Sequence, residues 1–200
     1  GQIPQTSGRV FWVAPSATYT VEGRSYSASD NNDGLSPERA VLTLDYAVGL
    51  TTASVGDVIV LLPGTHTQAA TATADVAGIT ITGIPQNAAS YTTRMPSGPA
   101  RNRAIVTGAA STVALTITAA DVEVANLHFL MVSTAITINV HNAADRCFIH
   151  DCTFSSQGVA ESTSTIGINV GTGTGTTTLN EDTHIRNCFF RNEGGQGAAV

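Results

Sequence analysis

Apolar residues recur in short runs rather than at helical intervals. Gly56-Asp57 opens the run Val58–Leu62, which Pro63-Gly64 closes. Further runs follow, separated by Gly, Asn or Asp: Ile79–Ile84, Ile105–Val106, Val113–Thr118, Val122–Val124, Leu127–Met131, Ala135–Val140, Cys147–Ile149, Thr153–Phe154, Ile166–Val170, His184–Ile185 and Phe189–Phe190. Runs of this length between turn residues read as strands. One stretch has helical spacing. Leu44, Ala47 and Val48 fall on one face, Thr43 stands where it can cap, and the pattern ends near Gly49–Thr52. Residues 1–36 show no clear periodicity beyond a short strand at Val10–Val13 and a turn cluster at Ser29–Ser36.

Three segments superpose. Val124-Ala-Asn126-Leu127-His-Phe129, Ile149-His-Asp151-Cys152-Thr-Phe154 and Ile185-Arg-Asn187-Cys188-Phe-Phe190 share an aliphatic, a bend residue, then two residues of like parity ending in Phe. Ile79–Ile84 is a weaker copy, and each main copy is preceded by an acid, Asp121, Asp145 or Asp182. Asn126 to Asp151 is 25 residues; Asp151 to Asn187 is 36, with Gly171–Thr178 absorbing the difference. Asn, Asp or Gly tolerates the left-handed backbone of a tight bend. A unit this short cannot bury its own apolar face, but stacked copies can, at the ~4.8 Å spacing of parallel strands. The alignment predicts Leu127, Cys152 and Cys188 in one inward column and Phe129, Phe154 and Phe190 in another.

Composition agrees with mostly β structure. The chain is 42% hydrophobic and only 12% charged, against about 25% in an ordinary soluble domain. It has no lysine, which excludes Schiff-base, P-loop-lysine and lysine-base chemistry. A net charge of -6 without a basic cluster speaks against a nucleic-acid partner. No apolar run approaches the ~18 residues of a membrane span. Three cysteines without a CxxC argue against a disulfide framework and a zinc ribbon, and predict three free thiols.

The run Ser29-Asp-Asn-Asn-Asp-Gly-Leu-Ser36, then Pro37, Thr43–Val48 and Gly56-Asp-Val-Ile-Val-Leu-Leu-Pro-Gly64, resembles the opening segment of right-handed parallel β-helix proteins of the pectin-lyase-like superfamily. The resemblance spans roughly residues 25–192, and in character it is closest to phage tailspike and other virion β-helices. It implies an all-β right-handed solenoid whose N-terminal helix plugs one end, with Val58–Leu62 as its first full strand. Asn126, Asp151 and Asn187 then take the place of an asparagine ladder. Residues 1–56 are expected to form the N-terminal segment and capping helix. Residues 57–200 are expected to form four or five rungs with an insertion at about Pro85–Arg103.

Candidate chemistry is sparse. Asp30, Asn32 and Asp33 offer clustered oxygens to calcium, but the spacing is not that of an EF-hand loop, and Asx turns leading into the helix explain it as well. Cys147, His150, Cys152, His184 and Cys188 look like a zinc set, yet the register turns the cysteines inward and the histidines outward. A Cys152–Cys188 disulfide is within reach but would distort the stack. His150 and Arg186 share one outward slot on successive copies and are the best acid/base pair, with no second carboxylate expected beside them. The paired-aspartate, G-H-G and R-x-K motifs of polygalacturonases do not occur in the sequence.

The expectation is therefore a structural or adhesive virion protein, such as a tailspike, tail-fibre or capsid-decoration component. It is expected to be trimeric or packed against other virion proteins, to contact a cell-surface glycan, and to need no cofactor. The alternative is the N-terminal part of a secreted polysaccharide lyase or glycoside hydrolase with its site in later rungs. An exposed last rung is expected to belong to a longer chain or to be covered by a partner.

Overall fold

Repeats that place an apolar residue at the same point of every copy favour strands that pair copy to copy. The computed structural model describes residues 7–84, 103–109, 112–130, 136–155, 167–172 and 182–191. Its elements are β1 (Val10–Val13), β2 (Thr18–Val21), β3 (Arg24–Ser27), a 3-10 turn at Pro37–Arg39, α1 (Leu44–Leu50), β4 (Val58–Leu61), β5 (Gly64–Gln68), β6 (Ala72–Ala74), β7 (Thr80–Gly83), β8 (Ala104–Gly108), β9 (Leu115–Ile117), β10 (Glu123–Ala125), β11 (His128–Leu130), β12 (Ile138–His141), β13 (Phe148–His150), β14 (Thr153–Ser155), β15 (Ile168–Thr172), β16 (His184–Arg186) and β17 (Phe189–Arg191).

Three parallel sheets result, ordered β1-β4-β7-β10-β13-β16, β5-β8-β11-β14-β17 and β6-β9-β12-β15. From β4 onward the chain visits the three sheets in rotation, and each strand pairs in parallel with the one three elements later. This is the arrangement of a parallel β-helix. The register aligns Phe11, Ile59, Ile81, Val124, Ile149 and Ile185 in one column. It aligns His66, Val106, Phe129, Phe154 and Phe190 in a second. Both columns point inward and are buried as far as β13 and β14, while Ile185 and Phe190, on the outermost strands, are about half exposed. Phe129 and Phe154 stack at 5.1 Å between ring centroids, and Phe154 and Phe190 at 4.7 Å. Leu127 and Cys152 are buried, and Cys188 packs partly buried against the same core.

The bends are as regular as the strands. Two residues before each strand of the long sheet from β4 onward stand Gly56, Gly78, Asp121, Arg146 and Asp182, all with left-handed backbone. Immediately after the strands, Asn126, Asp151 and Asn187 are left-handed too, with φ of 55°, 53° and 50°. The acid expected at Asp145 in this series is displaced by one residue, and Arg146 takes the slot. Its guanidinium donates to both Asp121 carboxylate oxygens at 2.8 Å.

α1 starts as expected. The Thr43 hydroxyl accepts from the Tyr46 N–H at 3.2 Å, and Leu44, Ala47 and Val48 are buried in the main core against β1 and β6. The N-terminal region holds more structure than its sequence suggests. β2 and β3 form an antiparallel hairpin turning at Glu22-Gly23, both left-handed. β1 pairs in parallel with β4, so the long sheet crosses the expected boundary at residue 56 and begins one strand before Val58–Leu62. Of the two expected insertions, residues 85–102 and 173–178 lie outside the described residues.

Candidate functional site

The outer face of the long sheet gathers most of the polar chemistry. Side chains alternate along a strand, so Val124, Ile149 and Ile185 point in while their neighbours point out. Two outward rows result. Glu123, Phe148 and His184 form one; Ala125, His150 and Arg186 form the other. His150 and Arg186 thus meet in register on neighbouring strands, as their sequence slots imply. The absence of carboxylates beside them is corrected by the structure. His150 Nε2 lies 2.8 Å from Glu123 Oε1, and its Nδ1 lies 2.7 Å from Asp151 Oδ2.

The clamp follows from the backbone. Glu123 sits one strand back and one slot along, within diagonal reach across a pleated sheet. Asp151 follows His150 at the left-handed bend, which swings its carboxylate back to the imidazole. The Phe148 ring stacks on His150 at 4.3 Å between centroids. Burial opposes a charge on His150, but hydrogen bonds to Asp151 and Glu123 outweigh it, and the imidazole titrates above its ordinary value. Charged His150 donates from both nitrogens, leaving no lone pair for proton abstraction. The group is a fixed link between strands that carries two carboxylates to one imidazole, with Arg186 exposed beside it.

The other candidates fall elsewhere. Cys147 and Cys152 are buried and His184 is exposed, so the would-be zinc ligands are divided between the two faces of the strands. Among the described residues no group of three or more His, Cys, Asp or Glu is placed to hold a metal. Asp30 accepts from the Leu42 and Thr43 N–H groups and from the Thr43 hydroxyl, each at 2.9 Å. Asn32 donates to the Ser27 and Ala40 carbonyls. Asp33 accepts from the Leu35 N–H and pairs with Arg39 at 2.9 Å. These three oxygen-bearing side chains therefore serve as staples around the 3-10 turn and the start of α1. Asn126 donates to the Thr82 hydroxyl, one strand back, at 3.1 Å.

Two further histidines are buried, His66 unread in the sequence and His128 at an outward position. His66 lies in the inward column with the phenylalanines, bonded to the Leu62 carbonyl at 2.7 Å, and burial lowers its pKa to about 4. His128 bonds the Ser155 hydroxyl through Nε2 at 2.7 Å. Burial and then the charge of Arg103 lower its pKa to about 4. His66 carried a signal in the alternation Thr65-His66-Thr67-Gln68, but polar inward residues disguise it.

No family model matches the chain, and no curated protein matches it. Among solved structures, a rhamnogalacturonan lyase is similar over 92% of this chain, with a TM-score of 0.54 at 12% identity. The chain spans about half (54%) of that protein's length. At this identity the likeness speaks to the fold alone, and together with the three parallel sheets it gives the chain a parallel β-helix fold.

Proposed function

We propose that the chain is a structural or adhesive module, a right-handed β-helical solenoid closed at its N-terminal end by α1 and built into a virion assembly. One observation carries the non-catalytic reading: both nitrogens of His150 are committed to carboxylates. General acid–base catalysis needs a group whose proton or lone pair faces the substrate, and this one faces its own sheet. A second face supports assembly. On the outside of the β6-β9-β12-β15 sheet, Thr73, Thr116, Asn139 and Asn169 align in one uncharged row across four strands. A flat row of small, uncharged side chains suits packing against another copy better than repelling it, and a trimer places three such faces around one axis. Glycan contact belongs to the exposed Phe148–His184–Arg186 side. The resemblance to tailspikes supports the virion setting.

The specific observation favouring the second reading, part of a secreted polysaccharide lyase, is the fold shared with the longer rhamnogalacturonan lyase. Light scattering coupled to size exclusion, with a turnover screen on pectic, alginate, chondroitin and bacterial surface polysaccharides, separates the two. The structural reading expects a trimer and no turnover. A monomer that cleaves a glycan, and loses that activity in His150→Ala or Arg186→Ala, would establish the enzyme instead.

A further inference from the structure

Cys152 and Cys188 stand at the same inward slot of neighbouring strands. The register pairs Thr153 with Phe189, so the residues just before them face each other, and the Phe189 N–H donates to the Cys152 carbonyl at 2.9 Å. Parallel neighbours lie about 4.8 Å apart, inside the ~4.4–6.8 Å Cα range that a disulfide spans. Both residues are free thiols. The Cys152 Sγ lies 3.2 Å from the His150 carbonyl and the Cys188 Sγ 3.3 Å from the Arg186 carbonyl, so each thiol sits over the strand that precedes it.

The two differ in access. Cys152 is fully buried, whereas Cys188, beside the outermost strand β17, is half-buried. Cys188 is also the more acidic. Its pKa is lowered to about 7, first by the hydrogen bond from the Cys152 thiol, against the cost of burial, and then by a backbone bond at Cys152 and the charge of His150. Cys152 is raised by the same bond and by burial. Cys147, buried elsewhere in the core, is raised by burial.

We propose that Cys152 and Cys188 are a two-thiol modification site for low-molecular-weight disulfides, with Cys188 as the attacking and Cys152 as the resolving thiol. The Cys188 thiolate attacks one sulfur of the small disulfide. The S–S bond of the reagent breaks, a mixed disulfide forms on Cys188, and one small thiolate leaves. Cys152 loses its proton to solvent and attacks the Cys188 sulfur. The mixed disulfide breaks, the Cys152–Cys188 bond forms, and a second small thiolate leaves. The small disulfide is reduced by two electrons and the protein pair is oxidised by two. In-register side chains on parallel strands start further apart than the ~3.8 Å between Cβ atoms in a relaxed disulfide. The bond therefore draws the two strands together, and a strained bond of this kind is readily reduced again.

The test is 5,5′-dithiobis(2-nitrobenzoate) on the native full chain at pH 7, with non-reducing peptide mapping of the products. The expected result is two equivalents of thionitrobenzoate released, a Cys152–Cys188 peptide, and Cys147 modified at least about tenfold more slowly than Cys188, as its smaller thiolate fraction dictates. Cys152→Ser is expected to release one equivalent and to keep a stable adduct on Cys188. The mapping on unaltered protein stands even if that variant folds poorly. A wild-type chain that retains the Cys188 adduct without a Cys152 cross-link, or in which Cys147 reacts as fast as Cys188, would overturn the site.

Discussion

The inward column at β5 and the outward row at β13 each carry a histidine, and the two behave in opposite ways. His66 is buried in the inward column beside Val106 with the Leu62 carbonyl as partner, and is held neutral. His150, on the other surface of the fold, sits between two carboxylates, and its charged form is favoured. Burial decides which fate a histidine meets, and parity sets burial at these two slots; His128, at the outward parity beside Phe129 but buried, shares the fate of His66. The inward slot removes water and supplies dispersion contacts; the outward slot leaves water near and lets ionised neighbours approach. Stability therefore resides in the columns, while the outer row at His150 carries charge.

The largest effect that tests this division is truncation of the interior. Phe154 stacks between Phe129 and Phe190, and Phe154→Ala is expected to cost about 3–5 kcal/mol from lost burial and the cavity left behind. Leu44→Asp, which places a carboxylate under α1, is expected to cost several kcal/mol, about as much as an unpaired charge in the core. Phe148→Ala, on the outer row, is expected to cost about 1 kcal/mol or less, the scale of an exposed aromatic pair. Urea unfolding monitored by circular dichroism measures all three. An outer-row loss equal to the inner one would remove the distinction between the faces.

The same division explains how much was legible in the sequence. The later copies were readable because their inward slots hold Val, Ile, Leu, Cys and Phe, so the period-two pattern and the bend residues coincide. β5 and β6 were not, since His66 and Gln68 face inward in one and Ala72 and Ala74 in the other, and neither pair looks like a core. The β2–β3 hairpin was hidden because its faces, led by Thr, Tyr and Ser, are mostly exposed and carry little hydrophobic contrast. At the candidate site, parity placed His150 beside Arg186. The carboxylate clamp depends on a diagonal contact to Glu123 and on a left-handed backbone at Asp151, neither of which is a sequence interval.

Acid is expected to act next most strongly, through the two buried histidines. The folded pKa of His66 and of His128 lies near 4, below the ordinary 6.5, so the unfolded chain binds more protons between those values. Their contribution is fully present above pH 6.5 and is lost as pH falls toward 4, by up to about 3 kcal/mol for each. Unfolding free energies measured across pH 4–7.5 check this. His66→Leu is expected to flatten the acid limb, whatever its effect at neutral pH. An unchanged slope would place His66 in contact with water and out of the column.

The outer histidine is expected to give the smallest effect and the opposite sign. Because the folded pKa of His150 is raised above 6.5, its ion pairs contribute fully below that value and fade as pH rises through the folded pKa. The pairs with Glu123 and Asp151 are partly exposed, with about two-fifths of each carboxylate side chain open to solvent, so their worth is about 1 kcal/mol or less. That exposure also makes the effect salt-sensitive, since screening at ~10 Å in 0.1 M salt reaches exposed charges far more than buried ones. His150→Gln is therefore expected to remove a shallow loss of stability as pH rises past 6.5, one that high salt also diminishes in the parent chain, and to leave the acid limb of His66 and His128 intact. A variant that flattened the acid limb as well would mean that His150 and the buried histidines titrate as one unit, and the separation between them would fail.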